Sequence, residues 1–203
     1  MDFVGIDIKE LLIHLGVWSA LFMIFAESGI LIGFFLPGDS LIFTAGLLAS
    51  QGYFSIWLLL IGGSIAAILG DNVGYHFGRK YGHRIFNKEE SLFFHKDHIL
   101  RAEAFYKKHG PLTIILARFT PFVRTFAPIL AGVGKMNYST FFLYNVIGGL
   151  AWVWGIGLLG YYAGKYIPNI DRYILPFIAA IIFVSVLPAV ISLAVAGVNH
   201  FRL

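Results

Sequence analysis

Residues 117 to 125 read Ala117-Arg118-Phe119-Thr120-Pro121-Phe122-Val123-Arg124-Thr125, which places two arginines inside an otherwise apolar run, 111–134. An arginine near the middle of a bilayer costs at least about 2.5–3.5 kcal/mol, so it must be paired, hydrated or directed into a cavity. Prolines at 111, 121 and 128 argue against one straight spanning helix. We therefore expect a broken or re-entrant segment that lines a polar pocket. The alternative is a short interfacial loop whose arginines extend to the lipid headgroups.

Composition places the whole chain in a membrane. Of its 203 residues, 58% are hydrophobic and 17% are aromatic, which is more apolar surface than a soluble domain of this length can bury. The chain contains no cysteine, which excludes disulfides and thiolate chemistry. We predict an all-α integral membrane protein with a single domain, 1–203, in a bacterial or archaeal cell (inner) membrane.

The first part of the chain predicts a helical hairpin. Residues 11–36 are apolar apart from His14 and Glu27, and Pro37-Gly38-Asp39 interrupts them before a second apolar arm, 40–49. At about 1.5 Å per residue, this second arm is too short to cross a core of about 30 Å. A re-entrant hairpin with its tip at Pro37, Gly38 and Asp39 fits these lengths better than two spans.

A basic linker separates this hairpin and its following span, 55–77, from the rest of the chain. The linker, 79–110, carries eight Lys or Arg against four acids, interleaved with aromatic and aliphatic residues. This pattern predicts amphipathic helices on the membrane surface, and the positive-inside rule places them in the cytoplasm. Lipid headgroups are the expected anionic partner, and nucleic acid is not expected.

An internal repeat relates the two halves at a constant offset of 86 residues. The matching positions are Ala45-Gly46 with Ala131-Gly132, Ile61-Gly62-Gly63 with Ile147-Gly148-Gly149, and Gly74-Tyr75 with Gly160-Tyr161. We predict two inverted repeats, about 11–78 and 111–165, each a re-entrant hairpin followed by one transmembrane helix. An additional C-terminal transmembrane helix, 172–199, would return the C-terminus to the cytoplasm. Inverted repeats with broken helices are typical of transporters whose site lies near the midplane.

The two hairpins carry opposite charges. The first contains Glu27 and Asp39, and the second contains Arg118 and Arg124. Pairing between the hairpins would offset the cost of holding four ionisable groups at membrane depth. The alternative is a buried ion-pair cluster that only locks the hairpins together. Asp71 is a weaker candidate, because it could lie near the cytoplasmic headgroups.

Several motifs resemble the DedA family of bacterial membrane proteins, whose eukaryotic relatives carry the VTT domain. They are Glu27, the turn 35–39, the glycine-rich stretch 70–82, and above all 118–124, Arg-Phe-Thr-Pro-Phe-Val-Arg. The resemblance implies opposed re-entrant hairpins, a role in membrane homeostasis, dependence on the proton motive force and translocation of lipids such as undecaprenyl phosphate. It also implies functional acids at Glu27 and Asp39 and functional arginines at Arg118 and Arg124.

The function expected from these residues is translocation of a lipid phosphate. Arg118 and Arg124 would bind the phosphate, because a guanidinium group matches its geometry. Glu27 and Asp39 would take up protons. The supporting residues are Pro37, Gly38, Thr120, Pro121 and Asp71.

The alternatives are a transporter of another kind and an enzyme. A small-ion or drug/proton antiporter would need the four charges without a lipid. An enzyme is not expected, because no histidine cluster accompanies a nucleophile in the apolar runs. Neither a metal nor a cofactor is expected, since His14 and His76 have no clustered partner. The pattern leaves the oligomeric state open.

Overall fold

The computed structural model describes residues 2–3, 6–7, 16–29, 38–85 and 110–167. These parts of the chain form six helices and one short antiparallel pair of strands, β1 (Asp2–Phe3) and β2 (Ile6–Asp7). The helices are α1 (Val17–Gly29), α2 (Gly38–Ser50), α3 (Ile56–Ile85), α4 (Leu112–Ala117), α5 (Pro121–Val133) and α6 (Tyr138–Tyr166). The prediction of a helical protein is confirmed for the described residues, apart from these two strands of two residues each.

Two helices have the length and composition needed to cross a membrane. They contain the apolar segments Ile56–Gly82 of α3 and Tyr138–Tyr166 of α6, which are 27 and 29 residues long. By contrast, α1, α2 and α5 have 13 residues each, or about 20 Å of helix, which is shorter than a hydrocarbon core of about 30 Å.

Among the described residues, the end of the first spanning helix differs from the predicted one. Helix α3 continues to Ile85, so residues 79–85, which the charge pattern assigned to the surface linker, extend the spanning helix by about two turns. Such an extension is compatible with their charge, because residues 79–82 form the end of the apolar segment Ile56–Gly82 and residues 83–85 lie beyond it. The remainder of the linker, Pro37 and the predicted C-terminal helix, 172–199, lie outside the described residues.

The predicted break between the two arginines is present. Helix α4 ends at Ala117, Arg118 caps it, and α5 begins at Pro121. Thr120 is extended, with φ −121° and ψ 106°, because the ring of a following proline disfavours helical geometry in the residue before it. Pro121 itself suits the first turn of a helix, because a backbone N–H at that position would have no partner within the helix. Each arginine therefore lies on a different side of the break.

The outer face of α3 is apolar along most of its membrane-spanning length, and two of its polar residues are buried. Exposed hydrophobic side chains recur every four residues along it: Trp57, Ile61, Ile65, Leu69, Val73 and Phe77. In contrast, Ser64 and Asp71 of the same helix are buried. This distribution is the reverse of that of a soluble protein and is the one expected in lipid, where ionisable groups face the bundle interior.

Glycines bring the short helices against the long ones. Helix α2 packs mainly against α6, and α5 packs mainly against α3. A Cβ at Gly46 would collide with the backbone of Gly157 and Tyr161, and a Cβ at Gly132 would collide with the backbone of Tyr75. Gly46 and Tyr161 are related to Gly132 and Tyr75 by the same 86-residue offset that relates the sequence motifs. The 86-residue offset thus relates the contact of Gly46 with α6 to the contact of Gly132 with α3.

We expect Gly46→Ala and Gly132→Ala each to destabilise the protein, because the added methyl group has no space between the backbones. Overpacking of this kind costs about 1–3 kcal/mol, which should lower the unfolding temperature of the purified protein in detergent. Gly155→Ala is the matched control, since a Cβ at that position meets nothing within 4 Å. Equal unfolding temperatures for all three variants would contradict the close approach of these helices.

Candidate functional site

Arg124 is held by two carboxylates from two other helices. From α5, its Nη1 donates a hydrogen bond of 2.6 Å to Oδ1 of Asp39 in α2, and its Nη2 donates to Oε1 of Glu27 in α1. Arg124 and Glu27 are 8% and 2% exposed, and the side chain of Asp39 is 16% exposed. The pairing predicted between the two hairpins is therefore present at Arg124.

Trp152 completes the contacts of this ion pair. From α6, its Nε1 donates a hydrogen bond of 2.8 Å to the same Oδ1 of Asp39, and its ring lies 4.6 Å from the guanidinium carbon of Arg124. A cation over an indole face gains up to about 2 kcal/mol when it is desolvated. Trp152 thus orients both partners of the pair. Sequence reasoning missed it, because a tryptophan in an apolar run has no feature that separates it from core packing.

Arg118 has a different set of partners. Its Nη2 donates to Oδ2 of Asp71 in α3 and to Oδ1 of Asn145 in α6. Asn145 in turn donates from Nδ2 to the carbonyl oxygen of Ile68, at 3.2 Å. Asp71 is 4% exposed and is therefore a buried counter-ion of Arg118. Sequence reasoning also missed Asn145, whose only signal is an amide in an apolar span.

Glycine provides space for the charged side chains. A Cβ at Gly148 would lie 3.0 Å from Cδ of Arg118, and one at Gly149 would lie 3.6 Å from its Nη2. At the first residue of α2, a Cβ at Gly38 would overlap the carboxylate of Glu27. The supporting role predicted for Gly38 therefore has a steric basis, since any other residue there would displace Glu27.

The described charges form a buried network of two clusters, one around Arg124 and one around Arg118, with a surplus of acid. It contains three carboxylates, Glu27, Asp39 and Asp71, and two guanidinium groups, Arg118 and Arg124. Two of its polar atoms make no hydrogen bond, Oε2 of Glu27 and Nε of Arg118. When every group is ionised the network carries one net negative charge, so it has both the charge and a free oxygen with which to take up a proton.

Long apolar helices around buried ion pairs define an integral membrane protein, and sequence comparison agrees with this description. The VTT domain matches residues 36–162. Protein DedA of Escherichia coli K12 is 44% identical over 195 residues, which cover 94% of this chain and 89% of that protein. An uncharacterized membrane protein of Mycobacterium leprae is 43% identical over 174 residues, covering 86% of this chain and 78% of that protein.

The chain therefore belongs to the VTT-domain family, which includes the DedA proteins, and it is a membrane protein. A further relative, an uncharacterized membrane protein of Mycobacterium tuberculosis, is 42% identical over 176 residues, covering 86% of this chain and 77% of that protein. No solved structure matches the chain. The family predicted from Glu27, the turn 35–39, the stretch 70–82 and the motif 118–124 is thus confirmed.

We expect Asp71→Asn to lower the stability of the protein, because it leaves the charge of Arg118 unpaired in the interior. Removing one partner of a buried pair costs about 3–5 kcal/mol. Adding Arg118→Met to Asp71→Asn removes the orphaned charge and should restore most of that loss. Thermal unfolding in detergent measures both effects, with the exposed Lys165→Met as the control for loss of a cation. A double variant no more stable than Asp71→Asn would show that the two residues are not coupled.

Proposed function

We propose that this protein is a transporter that moves a lipid phosphate, such as undecaprenyl phosphate, across a bacterial cell membrane in exchange for or together with protons. The proposal rests on one observation: two carboxylates form ion pairs with a single buried arginine, Arg124. A structural ion pair needs one counter-ion, and well-packed apolar residues often replace such a pair without loss of stability. A guanidinium with two alternative acidic partners is suited to exchanging one anion for another.

Phosphate is the anion that best fits this exchange. A guanidinium group presents parallel N–H donors that match two oxygens of a phosphate, as they match two oxygens of carboxylates. In Arg124, two of these donors are already directed at two separate acceptors. A lipid phosphate would compete with Asp39 and Glu27 for Arg124, and with Asp71 for Arg118. The apolar tail would remain in the bilayer beside the exposed faces of α3 and α6.

Protons would set the outcome of that competition. Protonation of Glu27 would neutralise the described network, and a second proton on Asp39 would leave it with one net positive charge. That charge complements a singly charged phosphate. Deprotonation would then return the carboxylates to Arg124 and release the lipid. This cycle would couple lipid movement to the proton motive force and requires no enzymatic step, metal or cofactor.

The membrane arrangement expected for this cycle places the charged tips between the leaflets. Helices α1 and α2 would form one re-entrant hairpin and α4 and α5 the other, as two inverted repeats. Support comes from the short lengths of α1, α2 and α5, and from the equivalent packing of α2 on α6 and of α5 on α3. The linker, 79–110, and the C-terminus would face the cytoplasm, because the basic charge is concentrated in the linker.

A flux assay tests the proposal directly. Vesicles containing the purified protein and labelled undecaprenyl phosphate should show faster exchange of the lipid between leaflets than empty vesicles, and a pH gradient should change the rate. Movement of small cations with the gradient, without movement of the lipid, would instead favour the antiporter that uses the same charges. Absence of both activities would overturn the proposal of transport.

We expect Arg118→Lys and Arg124→Lys each to reduce lipid flux by about tenfold or more. The ammonium group of lysine keeps the positive charge but lacks the parallel N–H donors of a guanidinium group. One hydrogen bond to a charged group contributes about 1.5–3 kcal/mol. Arg79→Lys, on the exposed part of α3, is the matched control and should leave the flux unchanged. Full flux in both buried variants would mean that positive charge alone is sufficient.

We expect Glu27→Gln to remove the response of flux to a pH gradient. The amide retains the shape of the carboxyl group but cannot exchange a proton, so slow exchange without coupling should remain. The measurement is the ratio of flux with a gradient to flux without one, for the parent and for the variant. An unchanged ratio would transfer the coupling role to another acid, which Asp39→Asn would test next.

A further inference from the structure

A groove runs along the outer face of α3 beside α1. Its volume is about 530 Å³, within the range of about 300–1,000 Å³ that is typical of ligand sites. One wall is apolar and consists of Phe25, Leu69, Val73, Phe77 and Tyr81. The other edge carries three polar residues one helical turn apart, Asn72, His76 and Lys80. The surface of the groove is almost entirely apolar, and the polar groups of these three residues lie at its edge.

The polar edge has two residues that are available for a ligand. Asn72 is already engaged, since it donates to the carbonyl oxygen of Ile68 at 2.7 Å and accepts from the hydroxyl group of Tyr138 at 3.0 Å. His76 packs its ring against Tyr138, with the ring centroids 5.3 Å apart, and makes no hydrogen bond with any described residue. Lys80 lies over the ring of Tyr81, at 5.3 Å, and has no ion pair with any described residue.

The order of these residues along α3 matches the polarity of one leaflet. Lys80 is two residues from Gly82, where the apolar spanning segment ends, so its ammonium group lies at headgroup level. From Phe77 back to Leu69 the apolar wall extends about 12 Å towards the middle of the membrane. The cationic end of the groove is thus at the interface and its apolar end is in the hydrocarbon. Basic pockets in this position bind the headgroups of anionic lipids.

We propose that this groove is a docking site for a lipid with a phosphate monoester headgroup. The phosphate contacts Lys80 and the ring N–H of His76, and the hydrocarbon chain lies along Leu69, Val73 and Phe77. The role of the site rests on the proposed function: it holds the substrate lipid beside the buried arginines. Asn72 at the edge of the groove directly follows Asp71, the counter-ion of Arg118, in the sequence of α3.

Lipid binding measured at equilibrium tests the site without requiring transport. The full chain, purified in mild detergent, is titrated separately with dioleoyl phosphatidic acid and dioleoyl phosphatidylcholine. Native mass spectrometry then gives the apparent Kd of the first lipid bound. The parent should prefer phosphatidic acid, and Lys80→Gln should weaken its binding about fivefold, which corresponds to about 1 kcal/mol for one cation near the surface.

The chain supplies a matched control for the charge. Lys165 near the end of α6 also lies over a neighbouring tyrosine, Tyr166, at 5.7 Å, but does not line the groove. Lys165→Gln should therefore leave the affinity for phosphatidic acid unchanged. If Lys165→Gln and Lys80→Gln weaken binding equally, the lipid responds to surface charge in general and the proposal is overturned.

A second pair of variants tests the apolar wall. Val73→Trp fills the groove and should weaken binding of both lipids, whereas Leu159→Trp, at the equivalent exposed position 86 residues later, should not. Unchanged binding in Val73→Trp would place the lipid elsewhere and overturn the site. The two proposals can fail separately. Normal groove binding without flux of undecaprenyl phosphate would overturn transport, whereas normal flux in both Lys80→Gln and Val73→Trp would overturn the docking site.

Discussion

A guanidinium group in a membrane interior must be neutralised, and the fold of this protein meets that requirement with side chains from four helices. Glu27, Asp39, Arg124 and Trp152 come from α1, α2, α5 and α6, and they converge on one point. Removal of Arg124 would leave two carboxylates without compensation in a medium that penalises each charge by several kcal/mol. The positions of the short helices relative to the long ones are therefore coupled to the ionic network.

Close backbone contact and buried charge are two aspects of the same packing. Arg118 occupies space that side chains at Gly148 and Gly149 would fill, and Glu27 occupies space that a side chain at Gly38 would fill. Small residues usually allow membrane helices to approach each other for packing alone. Here some of them also admit long polar side chains between helices, so the glycine-rich sequence and the internal charges depend on each other.

Much of this arrangement could be predicted from the sequence, because its causes are local. The cost of an arginine in an apolar run, the break before Pro121 and the excess of apolar residues each follow from a short stretch of chain. The partner of Arg118 could not be predicted, since the choice of Asp71 depends on how α3 is rotated towards α4. Asn145 and Trp152 were missed for a related reason: their residue types are ordinary in membrane helices, and only the contacts with Arg118 and Asp39 distinguish them.

The two arginines are chemically unequal, which bears on the order of events in the proposed cycle. Arg124 has two acidic partners, whereas Arg118 has one acid, Asp71, and a neutral amide, Asn145. The surplus negative charge thus belongs to the half around Arg124. An arriving phosphate needs to displace only one acid at Arg118, Asp71, which directly precedes Asn72 at the edge of the groove. A lipid phosphate would therefore meet Arg118 first, and protonation of Glu27 or Asp39 would be the condition for its passage to Arg124.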